Sequence, residues 1–127
     1  MVFTDWFTPA FKAGGPIRSI VNLVDQLKYT YNIYVFTSDR DLNDSSPFDV
    51  KVDQWIEKDG FKIYYYSPGQ MTFKKVKNII AEINPDKIYL NSMFSNMIFP
   101  LLAASRTGKI ILAPRGMLRA SALKVKP

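Results

Sequence analysis

Cysteine and histidine are both absent from the 127 residues. The first absence excludes disulfides, thiol nucleophiles and every Cys-based zinc or iron–sulfur site. The second excludes Ser-His-Asp and Cys-His arrangements, His-metal motifs and an imidazole base. Glutamate is scarce as well, with only Glu57 and Glu82, 25 positions apart. The sequence has no apolar run of about 18 residues to cross a bilayer. No cationic stretch leads into an apolar one at the N-terminus, so no secretory signal is encoded and a cytoplasmic protein is expected. The chemistry is left to Asp, Arg, Lys, amides, hydroxyls and backbone.

What is present suits a single domain with a real core: 47% of residues are apolar and 22% charged. Charge is uneven. Residues 1–59 carry six basic and nine acidic side chains, whereas 60–127 carry eleven and two, which gives the overall +6. Arg106, Lys109, Arg115, Arg119, Lys124 and Lys126 close the chain with no acid among them. A one-signed field of this kind draws an anionic ligand, a nucleic acid or an acidic membrane surface, or is a plain solvated face.

Short β-branched and aromatic runs read as strands: Ile33–Thr37, Ile63–Tyr66, Lys87–Leu90 and Lys109–Ala113, with a weaker first one at Val2–Thr4. Their continuous apolarity suits a parallel sheet covered on both faces. Helical stripes separate them. Ile17, Ile20, Val21, Val24 and Leu27 form one, with Pro16 at its start, where losing an amide hydrogen is harmless. Phe73, Val76, Ile80 and Ile83 form a second, opposite Lys74, Lys75 and Lys77. Met97, Ile98, Leu101 and Leu102 form a third, interrupted by Pro100 and ended near Gly108. An acidic, Ser-Pro-rich loop breaks the alternation after residue 38. Val50–Ile56 and Phe61 onward then flank Asp59-Gly60, the signature of a hairpin at about 50–66.

This alternation predicts an α/β fold of three layers, a doubly wound, mainly parallel sheet of order 3-2-1-4-5 with the hairpin as an extension. Ligands in such sheets bind beyond the carboxyl ends of the strands, where the winding reverses between strands one and four. Topology therefore singles out residues 5–16, Asn91–Ser95 and Pro114–Arg119.

Gly14 and Gly15 permit positive φ and close approach of the backbone at a helix N-terminus, which favours a phosphate; Arg18 stands one turn further as a side-chain donor. Gly-Gly-Pro also fits a plain turn entering a helix. A nicotinamide site would use Asp39 or Asp41 as ribose reader, but Gly-x-Gly-x-x-Gly is missing and about twelve loop residues replace the tight turn it needs. The Walker pattern is absent too. Asn91, Ser92 and Ser95 offer amide and hydroxyl groups to a polyol, or serve as caps and turn formers. Arg115, followed by Gly116, would reach the same crevice with its planar fork, or form a surface ion pair.

Ala10–Ile20, Phe36–Asp41 and Ala113–Leu118, in that order and spacing, resemble the N-terminal domain of glycosyltransferase family 4. The resemblance implies the GT-B architecture, two facing Rossmann-like domains with the active site between them. It implies retaining transfer of a sugar from a nucleotide diphosphate sugar to a glycan or lipid-linked acceptor, without a divalent metal or other cofactor. The N-terminal domain of that family binds mainly the acceptor, and its glycine-rich loop, here Gly14 and Gly15, approaches the donor diphosphate. Asn91, Ser92, Arg115 and Gly116 would then line the acceptor side of the cleft. The family's glutamate pair, eight positions apart, has no counterpart here. The expectation is an N-terminal half, inactive alone, whose partner is a C-terminal donor-binding domain; no catalytic residue is assigned. The basic C-terminal stretch would dock on that domain or on anionic lipid at the inner membrane face. Nucleic acid is disfavoured, because the aromatics fall in predicted strands and no recognition motif occurs. The alternative of another class is a free-standing, non-enzymatic Rossmann-type module that binds a nucleotide or anion.

Overall fold

The computed structural model of the chain describes residues 1–91 and 110–113. The expected third helix with Pro100, and Ser92, Ser95, Arg115 and Gly116, lie outside the described residues.

Val2–Phe3 forms β1, Tyr34–Ser38 β2, Trp55–Lys58 β3, Phe61–Tyr66 β4, Ile88–Leu90 β5 and Ile110–Leu112 β6. They make one six-stranded sheet of order β3-β4-β2-β1-β5-β6. Only the β3–β4 pair is antiparallel. The sheet differs from the five-strand 3-2-1-4-5 expected by a sixth strand, β3, at its edge; the other five run β4-β2-β1-β5-β6. The hairpin contributes a full edge strand, in which Trp55 stands opposite Tyr64 and Glu57 opposite Lys62. Asp59 and Gly60 turn the hairpin with φ of 49° and 90°, both positive, as a two-residue turn between twisted strands requires. The strand is shorter than the expected Val50–Ile56, because residues 50–54 run as loop before it.

Two helices connect parallel strands. The first, α1 (Gly15–Leu27), joins β1 to β2 and buries Ile17, Ile20 and Val24, residues of the stripe read from the sequence. The second, α2 (Phe73–Ile83), joins β4 to β5. Thr72 caps its first turn by accepting from the Lys75 N–H at 3.2 Å, and Asn84 ends it in the left-handed conformation.

Strand alternation sorts the core into two faces. Val2, Val35, Ile63 and Tyr65 pack with Ile20 and Val24 of α1, while Phe3, Phe36, Tyr64, Ile88 and Leu90 pack with Val76 and Ile79 of α2. A helix on each face of a mostly parallel sheet is the three-layer arrangement, and the strand order reverses between β1 and β5. No helix among the described residues is long and apolar enough to cross a membrane.

Candidate functional site

The reversal point is closed by hydrogen bonds that span most of the chain. Beyond β1, the Thr4 N–H donates to the Phe36 carbonyl at 3.1 Å, and the Asn91 N–H beyond β5 donates to the Phe3 carbonyl at 3.0 Å. The Asn91 side chain then donates to Thr4 Oγ1 at 3.2 Å, both residues being buried. Asn91 thus stands at the carboxyl end where topology placed it. It also ties the two strand ends together, a role its place in the sequence did not show.

The loop after β1 is held in two places. Asp41, just beyond β2, accepts from the N–H groups of Phe11 at 2.9 Å, Lys12 at 3.2 Å and Leu42 at 2.8 Å. Burial opposes the charged form of this carboxylate, but the three N–H donors and the Lys12 ammonium overcome it and hold its pKa below the ordinary value. Lys12 itself pairs with Asp44. At the second place the Tyr65 hydroxyl donates to the Thr8 carbonyl at 2.6 Å. Burial pushes the Tyr65 phenol up to about 12, from an ordinary 10.0. A raised folded-state value means that the folded chain keeps this proton longer. The associated stability is complete below pH 10 and declines as pH rises through 12. Tyr65→Phe should cost about 1 kcal/mol at neutral pH. It should also flatten the alkaline loss, read as urea midpoints at pH 8 and pH 11.

From this anchored loop the chain enters α1. Gly14 takes φ 70° and ψ −122°, a conformation that a side chain strongly disfavours. Gly15 needs no such freedom, contrary to the reading of both glycines as positive-φ positions. Both are exposed, and a Cβ built on either meets nothing within 4 Å. The amide supply is smaller than a bare helix end provides. Pro16 has no N–H, and the Ile17 and Arg18 N–H groups bond to the Gly14 carbonyl at 3.1 and 3.4 Å. The Gly15 N–H has no partner among the described residues. Arg18 is exposed and makes no ion pair among them.

The other side of the mouth is acidic. Asp39, beyond β2, is buried and binds the Arg40 guanidinium at 2.8 Å. Asp5 is half-buried beyond β1. Tyr66 ends β4; burial, and then the carboxylates of Asp5 and Asp39, push the pKa of its phenol upward. Asp39 and Asp41 are thus spent on Arg40 and on the loop amides, not presented as ribose readers. No group of three or more carboxylates suited to a metal ion occurs among the described residues.

Sequence reasoning missed Thr4, Tyr65 and Tyr66 and the anchoring role of Asp41. Two of the three partners of Asp41 lie 29 and 30 positions away and the side-chain partner of Asn91 lies 87 away, so no local pattern announces them. Comparison of the chain with family models, with curated proteins and with solved structures returns no match.

Proposed function

We propose that the chain is the acceptor-side, N-terminal domain of a retaining GT-B glycosyltransferase. The carboxyl-end mouth would form half of a sugar-transfer cleft, with the donor diphosphate against Gly14, Gly15 and Arg18. One observation carries this reading: an exposed Gly14 bend at φ 70°, opening directly onto the N-terminus of α1 beside the β1–β5 reversal, with space above both glycines. A phosphate there meets the Gly15 N–H, the positive end of the helix dipole and the Arg18 guanidinium. These groups oppose the negative charge that grows on a departing nucleotide diphosphate.

The acidic side supports the other half of the reading. The Asp5 carboxylate and the Asn91 amide suit the hydroxyls of a sugar acceptor, and the Asp5 carboxylate repels a second anion. The donor phosphates are thereby confined to the glycine side. In this proposal Ser92, Arg115 and Gly116 complete the cleft, a separate donor-binding domain faces it, and no metal takes part. The contact with anionic lipid rests on Arg106, Lys109, Arg115, Arg119, Lys124 and Lys126, all of which lie outside the described residues.

Titration with nucleoside diphosphates and inorganic pyrophosphate, followed by amide chemical shifts, tests the donor side. Arg18→Ala should weaken binding about tenfold, the loss of one charge-assisted contact. Gly15→Val should abolish it, because the added side chain fills the space above the bend. Equal binding by all three proteins, or none by the parent, rejects the diphosphate site. Sugar transfer catalysed by residues 1–127 alone rejects the half-cleft.

A further inference from the structure

Phe11 is a large apolar side chain that the loop after β1 leaves in water. It is 74% exposed, whereas Phe7 and Ala10 of the same loop are buried. The other exposed large apolar residues of the described chain are differently placed. Tyr29 and Phe73 each carry a lysine ammonium over the ring, Lys28 at 5.4 Å and Lys77 at 5.8 Å. Tyr31 precedes β2 at the amino ends of the strands, and Ile111 and Leu112 belong to the edge strand β6. Among the described residues no aromatic ring or cation lies over Phe11.

The backbone beneath this ring is fixed. The Phe11 N–H donates to Asp41 at 2.9 Å, the Lys12 N–H donates to the same carboxylate at 3.2 Å, and the Phe11 carbonyl accepts from the Gly14 N–H at 3.0 Å. The last bond closes a four-residue turn, which holds the Cα atoms of Phe11 and Gly14 within about 7 Å. One tight turn therefore carries an exposed ring at its start and the positive-φ bend at its end. A phenyl side chain on a held backbone has two dihedrals left to fix, so little freedom is lost when a ligand covers it.

We propose that the Phe11 ring is a stacking platform for a pyranose ring, beside the diphosphate at Gly14 and Gly15; this deepens the function proposed above and rests on it. The size and setting of the apolar surface select the ligand. Among the other exposed residues of the stretch 8–16, only Pro9 and Pro16 have apolar side chains. A bilayer or a protein partner calls for a contiguous apolar patch on the order of several hundred Å². The nearest carboxylates, Asp41 on the loop amides and Asp44 on Lys12, also oppose an anionic bilayer. A pyranose needs only one aromatic face. Its C–H groups rest against the negative face of the ring, while its hydroxyls stay at the edge among polar groups and water. The sugar of a donor and the sugar of an acceptor offer the same C–H face, and the titrations below separate them.

The full chain is titrated, with amide and aromatic shifts as the readout, against three sets of probes. These are inorganic pyrophosphate, the pairs UDP with UDP-glucose and GDP with GDP-mannose, and the methyl glycosides of glucose, mannose and N-acetylglucosamine. A sugar on the platform should give nuclear Overhauser contacts from its C–H protons to the Phe11 ring. Tighter binding of a nucleotide sugar than of its diphosphate assigns that sugar to the donor, and binding of a methyl glycoside assigns it to the acceptor. Phe11→Ala should weaken the sugar-dependent binding about fivefold and leave pyrophosphate binding unchanged. Phe11→Tyr should keep the sugar and Phe11→Leu, which retains bulk without an aromatic face, should not. Unchanged pyrophosphate binding in these variants shows that the bend is intact, so that a lost sugar is not a lost fold. Sugar binding equal in the parent, the alanine and the leucine variants, or pyrophosphate binding with no sugar effect in any titration, overturns the platform and leaves the diphosphate site standing. No pyrophosphate binding by the parent rejects the diphosphate site instead. The methyl glycosides, which carry no phosphate, then decide the platform by the same contacts and variants.

Discussion

Replacing Asp41 with alanine should destabilise the protein by about 3 kcal/mol and release the loop that carries the glycine bend. One carboxylate satisfies the N–H groups of Phe11, Lys12 and Leu42, so its removal leaves three donors to seek water at once. Asp41→Asn should cost less, because an amide oxygen still accepts but carries no charge. The pH dependence follows from the depressed pKa. The unfolded chain takes up this proton near 3.8 and the folded chain only below that value. The stabilisation is therefore complete well above pH 3.8 and is lost as pH falls through the lower, folded value. Urea unfolding at pH 7 should separate the parent from Asp41→Ala clearly, and the gap should narrow in acid. Faster amide exchange between Phe7 and Gly14 in the variant would place the effect in the loop. An Asp41→Ala midpoint equal to the parent's at pH 7 would show that the loop holds without this anchor.

Phe36→Ala is expected to be the most damaging single change, at about 4 kcal/mol. Phe36 is fully buried at the centre of the α2 face. Its ring stacks on Tyr64 and Tyr66 at 5.1 Å each and lies tilted against Phe3 at 5.3 Å. Truncation removes the middle ring of that row and leaves a void between three others, which cannot collapse without shifting β2 against β4. For a domain of ordinary stability, about 5–15 kcal/mol, this is a large share of the total. Phe36→Leu, which fills part of the space, should cost about 1.5 kcal/mol. The consequence reaches the mouth, since the Tyr66 phenol beside Asp5 and Asp39 depends on this stack for its position. The Tyr66 absorbance titration in Phe36→Leu should accordingly move toward the ordinary phenol value. A cost below 1.5 kcal/mol for the alanine variant would mean that the row contributes little to the core.

The residues explain how far a sequence can be read in this chain. The apolar stripe of α1 and the runs of β2, β4 and β5 were legible because burial on both faces demands continuous apolarity and helices demand a 3.6-residue period. The Asp59-Gly60 turn was legible because few residue pairs accept two positive φ angles. The start of β3 was not, since Val50 and Val52 carry the same alternating signal as the strand that begins at Trp55. The site was legible only as a set of loops. Gly14 stood out by conformational freedom, while Asp41, Tyr65 and Thr4 act through partners distant in sequence. Gly15 resembled its neighbour in sequence yet has an ordinary backbone, because it is already the first residue of α1 while Gly14 lies just before it.

The hairpin at the far side of the sheet has an effect on the behaviour of the protein in solution. By folding back antiparallel, β3 becomes the outermost strand, and its closing residues Glu57 and Lys58 are exposed. A row of charges on a short, twisted margin is a poor template for another chain's strand. That border therefore resists fibril growth, and uncontrolled self-stacking would have to begin elsewhere on the molecule.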